Sequence, residues 1–213
     1  HGVLANPGNG TETRRPYSQY PSFFTRAEQH RPELRTVSMV SWESINTFII
    51  RSADKNAHHD YKLNGEKADA LVAEDAINLL TKENPDLLFF YFVNVDYAGH
   101  AFGYGAAVPE YMDAVQDTGR HVGRIMDALR QRTDYRKENW LTVLISDHGG
   151  KGKSHDGVPE ARIIPFIMHG PSVMPGEIIP APAQVEGAPT ILKHLGIPIK
   201  AEWGLDGKIV GLK

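Results

Sequence analysis

The 213-residue sequence contains no cysteine, which excludes disulfide bonds and metal sites built on thiolates. Any metal ion must therefore be held by histidine, aspartate or glutamate. The chain also lacks an excess of charge of either sign. Its formal net charge of −3 provides no basic surface for nucleic acid and no polybasic patch for a membrane. We therefore expect no nucleic acid as an obligate partner.

Long apolar runs are absent as well. The segment DLLFFYFV (residues 86–93) is among the most apolar, yet it is far shorter than the ~20 residues needed to cross a bilayer. We therefore expect no transmembrane segment. The hydrophobic fraction of 41% and the charged fraction of 23% are ordinary for a globular protein. Because no internal repeat or long linker divides the chain, residues 1–213 are expected to form one domain.

Apolar runs of strand length alternate with segments of helical periodicity. Strands are predicted at 35–42, 86–95, 139–146 and 161–170, and helices at 21–30, 44–53, 65–85, 109–132 and 188–196. The second and third of these strands lack polar alternation, which indicates burial on both faces, as in a parallel sheet. The alternation predicts an α/β fold with a mostly parallel, doubly wound sheet and helices on both faces.

Metal-binding side chains follow the two most apolar of the predicted strands. The second strand is followed by Asp96 and His100, and the third directly by Asp147 and His148. His155 lies further along, in a glycine-rich segment. Ligands in open α/β sheets bind at the carboxyl ends of the strands, so we expect these side chains to lie close together. Carboxylate and imidazole donors without sulfur are typical of a zinc site or a two-metal hydrolase centre.

Each of these residues has an ordinary structural explanation when it is taken alone. An aspartate after a strand often caps a helix or forms a turn, and a single histidine is more often a surface residue than a ligand. The adjacent pair Asp147 and His148 is more specific, because it has no common packing role directly after a buried strand. The conjunction of all five residues favours a metal centre.

Two motifs carry a resemblance to a known family. NVDYAGHAFG (94–103) and ISDHGG (145–150), with a histidine downstream, resemble the alkaline phosphatase superfamily. The likeness is closest to its type I phosphodiesterase/nucleotide pyrophosphatase branch and spans nearly the whole chain. It implies an alkaline phosphatase-like fold and a metal-dependent enzyme that hydrolyses small-molecule phosphate esters by in-line displacement.

The resemblance further implies two divalent metal ions, expected to be zinc. Asp96, His100 and His155 would bind one ion, and Asp147 and His148 would bind the other. The third histidine is the least secure of these ligands, because nucleotide pyrophosphatases carry it much further downstream, whereas shorter superfamily members place it soon after DHG. His194 is therefore the competitor of His155, although its helical setting favours a structural role.

The opening segment HGVLAN is similar to the stretch that follows the nucleophile in the phosphodiesterase branch. Asn6 would accordingly contact a non-bridging phosphate oxygen; its alternative is a turn residue in ANPGNG. The family pattern also needs a first aspartate ligand and a threonine or serine nucleophile upstream of the histidine that is His1 here. We therefore expect no catalytic nucleophile in this chain, which would lack the N-terminal strand and nucleophile helix of its domain and turn over slowly or not at all.

Other functions remain open at the level of sequence. The superfamily includes phosphomonoesterases, phosphomutases and sulfatases, and a sulfatase would require a modified cysteine or serine nucleophile upstream. A non-catalytic metal-binding module would keep the fold without the upstream aspartate and threonine. Family members are often secreted or periplasmic, but the sequence fixes neither the localisation nor the oligomeric state.

Overall fold

A computed structural model of the protein describes residues 20–60, 62 and 64–213. Asn6 and the rest of the opening segment lie outside the described residues. The strands are β1 (Thr36–Val40), β2 (Lys55–His58), β3 (Leu87–Tyr91), β4 (Thr142–Ile145) and β5 (Phe166–His169). The α-helices are α1 (Phe23–His30), α2 (Gly65–Lys82), α3 (Asn94–Phe102), α4 (Pro109–Arg130) and α5 (Gly187–His194).

The strands form a parallel sheet and a separate antiparallel pair. The parallel sheet has the order β2-β1-β3, with Met39 of β1 opposite Ala57 on one side and Phe90 on the other. In the antiparallel pair β4-β5, Val143 lies opposite Met168. The predicted α/β fold with a parallel sheet flanked by helices is confirmed.

Two apolar clusters cover the two faces of the parallel sheet. Val40 of β1 packs with Phe24 of α1 and Leu192 of α5 on one face. The alternate residues of β1 pack against α2 and α4 on the other face, in a cluster that includes Val37, Met39, Val72, Leu80 and Leu129. β1 is buried along its whole length because it lies between two strands and two helical layers. Burial of each large aliphatic side chain stabilises the fold by ~1.5–3 kcal/mol.

The prediction that the strands before the metal-binding residues are buried on both faces is wrong. Only Leu87 of β3 is buried, and the rest of β3 is half-buried. β4 is half-buried as well, and Ile145 at its end is 36% exposed. Within the described part of the chain, β3 pairs only with β1 and β4 only with β5, so each strand has one edge that no described strand covers.

Three local predictions also need correction. The predicted helix at 44–53 is a π-helical turn at Ile45–Ile49, and the short polar strand β2 follows it. In place of the predicted strand at 161–170, the structure has the end of a 3-10 turn (Pro159–Arg162) and the four residues of β5. The predicted strand at 86–95 ends at Tyr91, and Asn94–Phe102 form the helix α3. Among the described helices, none is long and apolar enough to cross a membrane.

Arg132 connects the end of α2 to the segment that leads into β4. Its guanidinium donates to both carboxylate oxygens of Glu138, at 3.1 and 2.8 Å, and to the carbonyl oxygens of Leu80 and Glu83, at 2.9 Å each. The carbonyls at the end of a helix have no partner inside the helix, so Arg132 satisfies groups that α2 leaves open. The hydrogen bond from Arg132 also lowers the pKa of Glu138. Arg132 is only 10% exposed, so this ion pair lies largely out of solvent.

Candidate metal centre

The first two candidate ligands lie on α3, which starts directly after β3. Asp96 is in the first turn and His100 in the last turn of this helix. Residues four positions apart share one helix face. The Nε2 atom of His100 accordingly lies 3.5 Å from Oδ1 of Asp96.

The start of α3 is held by Asp69, a buried carboxylate of α2 that sequence reasoning missed. The backbone N–H groups of Val93 and Asn94 donate to its two carboxylate oxygens, at 2.8 Å each. Asp69 is 1% exposed, and burial raises the pKa of its carboxyl to about 6. The signal in the sequence was an acidic residue on the apolar face of α2, four positions before the fully buried Ala73. Asp69 therefore fixes the position of the start of α3, the helix that carries Asp96 and His100.

The buried carboxyl of Asp69 predicts a pH-dependent stability. Its pKa is about 6 in the folded protein against a reference of 3.8, so between these values the folded state binds a proton that the unfolded chain has released. The free energy of unfolding should therefore fall by about 3 kcal/mol as the pH rises from about 4 through 6. We expect the difference in unfolding free energy between wild type and Asp69→Asn to follow this course in urea titrations. The exposed Asp113→Asn is the control, and an equally flat profile for both variants would contradict the prediction.

The remaining three candidate ligands lie in the segment after β4. Nε2 of His148 is 3.7 Å from Oδ1 of Asp96 and 3.9 Å from Oδ2 of Asp147. The imidazole of His155 stacks on that of His148, with ring centroids 3.8 Å apart. The hydroxyl of Tyr91, at the end of β3, donates to Oδ2 of Asp147 at 3.2 Å. The ends of β3 and β4 thus meet at one place, as the sequence predicted for the residues that follow them.

The structure groups the candidate ligands differently from the sequence-based pairing. Asp96, His148 and His155 each offer one ligand atom within 4.8 Å of the other two. His100 approaches the same carboxylate, and its ring centroid is 5.1 Å from that of His155. His194 is engaged elsewhere, since its Nε2 lies 2.7 Å from the carbonyl oxygen of Asn139. Of the two candidate third histidines, the structure therefore brings His155 and not His194 to this cluster.

Two imidazoles of the cluster have their tautomers set by backbone carbonyls. Nδ1 of His100 lies 3.0 Å from the carbonyl oxygen of Lys153, and Nδ1 of His148 lies 2.9 Å from that of Gly149. A carbonyl oxygen only accepts, so in each neutral imidazole Nδ1 carries the proton and Nε2 keeps its lone pair. A backbone carbonyl is one of the common partners for the second ring nitrogen of a metal-binding histidine.

In these tautomers the Nε2 atoms of both imidazoles are free to act as acceptors or as metal ligands. Both Nε2 lone pairs approach Oδ1 of Asp96, which is itself an acceptor when ionised. A cation placed between these atoms would be bound by both imidazole nitrogens and by the carboxylate. The donor set of carboxylate oxygen and neutral imidazole nitrogen suits Zn²⁺. The residues present therefore fit a divalent metal ion.

The sequence of the chain matches the model of one protein family. The sequence model of the family described as type I phosphodiesterase / nucleotide pyrophosphatase matches residues 5–164, three quarters of the chain. Among curated proteins, none matches the sequence at a significant level. The matched region contains all five candidate ligands.

Solved structures share the fold at low sequence identity. A protein from Bacteroides thetaiotaomicron, described as a candidate sulfatase, superimposes with a TM-score of 0.71 at 14% identity over 98% of this chain. The phosphoglycerate mutase of Leishmania mexicana, crystallised at low cobalt concentration, gives 0.60 at 13% identity over 89% of this chain. The chain spans 59% of the first of these proteins and 39% of the second.

Proposed function

The chain belongs to the type I phosphodiesterase/nucleotide pyrophosphatase family, and from that premise we propose that it is the metal-binding part of a hydrolase that cleaves phosphodiesters or pyrophosphates at a two-zinc centre. The resemblance to the alkaline phosphatase superfamily is confirmed. The observation that carries the proposal is the convergence of two imidazole Nε2 atoms on one carboxylate oxygen of Asp96, at 3.5 and 3.7 Å.

The ligand residues would divide between two neighbouring ions. We keep Asp96, His100 and His155 as ligands of one ion and Asp147 and His148 as ligands of the other, with His148 at the boundary because it lies close to both carboxylates. The two carboxylates offset part of the charge of the two cations. When bound, such ions polarise phosphoryl oxygens and activate the attacking group.

The protein itself supplies position and fixed charge, which suits phosphoryl transfer. The hydroxyl of Tyr91 restrains the carboxylate of Asp147. Asp69 anchors the helix that carries Asp96. Asn6 would contact a non-bridging phosphate oxygen. The substrate we propose is a small-molecule phosphate ester.

The nucleophile in this proposal is not one of the two serines nearest the candidate ligands in sequence. The two serine hydroxyls nearest the ligands in sequence are engaged with backbone, since Ser146 donates to the carbonyl oxygen of His148 at 2.7 Å and Ser154 accepts from the N–H of Asp156 at 3.0 Å. The edges of β3 and β4 that no described strand covers are consistent with a further strand. We propose that residues 1–213 form one alkaline phosphatase-like domain, in which the first aspartate ligand and the nucleophile are not among the five candidate ligands.

Metal content and substrate preference test the proposal. We expect elemental analysis of the chain, purified without chelator, to find about one tightly bound zinc and a second, weaker one. We expect the full-length protein to hydrolyse a nitrophenyl phosphodiester in preference to the matching phosphomonoester and sulfate ester. A chelator should abolish this activity and added Zn²⁺ should restore it.

The three substrates also separate the alternatives. A preference for the sulfate ester would favour a sulfatase, and a preference for the monoester would favour a phosphomonoesterase. Zinc binding without hydrolysis of any of the three would favour a non-catalytic module. Absence of bound metal would contradict the proposed centre itself.

A further inference from the structure

Tyr104 contacts the candidate metal centre but is not one of its ligands. It follows Gly103, whose φ of 122° turns the chain at the end of α3. This turn brings the Tyr104 hydroxyl back to the helix, where it donates to Oδ1 of Asp96. The same oxygen faces the Nε2 atoms of His100 and His148. Tyr104 therefore hydrogen-bonds to the carboxylate oxygen that lies nearest to the two candidate histidine ligands.

The ring of Tyr104 occupies a slot between two glycines. A Cβ atom on Gly99 of α3 would overlap this ring, and so would a Cβ atom on Gly150 of the segment after β4. Neither glycine has a positive φ, so the close approach of the ring, and not the backbone conformation, explains the absence of a side chain. Any larger residue at either position would displace the ring.

Backbone contacts at Tyr104 join α3 to the segment that carries His155. The N–H of Tyr104 donates to the carbonyl oxygen of Gly152 at 2.6 Å. The adjacent Lys153 accepts from Nδ1 of His100 and donates from Nζ to the carbonyl oxygen of Ala101 at 2.8 Å. The ligands from the two strand ends are thus tied together around the tyrosine.

We propose that Tyr104 is a positioning residue that orients the Asp96 carboxylate for the metal ion and holds α3 and the His155 segment at a fixed separation. This inference rests on the proposed function, because it assigns Tyr104 a role at the same centre. An outer partner that orients a ligating carboxylate typically contributes 10–100-fold to metal affinity. The hydroxyl and the ring have separable parts in this role, the first acting on Asp96 and the second on the spacing of the two segments.

Two variants separate these parts. Tyr104→Phe keeps the ring and removes the hydroxyl, and we expect it to weaken zinc binding roughly 10–100-fold in competition with a chelating dye. We expect it also to change the visible absorption band of bound Co²⁺, which a loss of general stability would not do. Gly150→Ala keeps the hydroxyl and displaces the ring, and should weaken zinc binding to a similar degree. Tyr97→Phe, next to Asp96 and 47% exposed, is the matched control and should bind zinc like the wild type.

The outcomes distinguish this inference from the proposed function. If the wild type binds zinc and Tyr104→Phe binds it equally well or better, the positioning role is wrong and the metal centre stands. If Gly150→Ala alone retains wild-type affinity, the part assigned to the ring is wrong. If the wild type binds no zinc, the proposed centre fails and the role of Tyr104 fails with it.

Discussion

Replacing His148 by alanine is expected to lower the affinity of the chain for the zinc ion that His148 binds by more than about 100-fold. His148 lies close to both carboxylates, at 3.7 Å from Oδ1 of Asp96 and 3.9 Å from Oδ2 of Asp147. Loss of an outer partner alone costs 10–100-fold, so loss of a direct ligand should cost more. The variant should keep its fold, because His148 lies after β4 and outside both apolar clusters. Competition with a chelating dye measures the affinity, and circular dichroism verifies the fold.

His194→Ala is the matched control for this prediction. The imidazole of His194 is hydrogen-bonded to the carbonyl oxygen of Asn139 and lies outside the cluster of candidate ligands. We expect the control to bind zinc like the wild type. If His194→Ala lost zinc affinity, His194 and not its competitor His155 would be the third histidine. If His148→Ala kept wild-type affinity, His148 would not be a ligand.

Replacing Arg132 by alanine is expected to have the largest effect on stability, a loss of about 3–5 kcal/mol in the free energy of unfolding. The change would leave the carboxylate of Glu138 without its bidentate partner and the carbonyl oxygens of Leu80 and Glu83 without their donor. Glu138 would keep only the indole N–H of Trp140, at 2.6 Å. Unfolding in urea, followed by circular dichroism, measures the loss.

Arg130→Ala tests the same chemistry at an exposed position. Arg130 pairs with Asp127 at 3.1 Å on the surface of α4, and its side chain is 49% exposed. Exposed pairs of this kind contribute about 0–1 kcal/mol, so this control should change stability little. Arg132→Lys should fall between the two, because lysine keeps the charge but not the planar fork of donors. A loss of less than 1 kcal/mol in Arg132→Ala would show that the arginine does not hold the end of α2.

The class of fold could be predicted from sequence because apolar periodicity reports burial directly. β1 and the helices α2 and α4 appear where their patterns indicate, since their apolar residues face the two clusters. The pattern could not show which neighbours cover a strand. The apolar runs of β3 and β4 were for that reason expected to be fully buried, although the described chain leaves them half-buried. The short strand β2 carries no apolar pattern, because it is a polar edge, and was missed.

The sequence by itself determined the chemistry of the candidate site. The absence of cysteine left only oxygen and imidazole ligands, and the positions of Asp96 and His148 after two apolar strands predicted that they would meet. These inferences depend only on the types of the residues and on their order along the chain, and the sequence gives both directly.

Only the tertiary structure decided how the side chains of the site are arranged. It placed His155 and not His194 beside His148, and it brought two Nε2 atoms to 3.5 and 3.7 Å from Oδ1 of Asp96. It also showed the hydrogen bonds that Asp69 and Tyr104 make to α3. The physical reason is that hydrogen bonds and ring contacts between distant segments depend on distances of a few tenths of an ångström and on direction. The number of residues between two positions in the sequence gives neither this distance nor this direction.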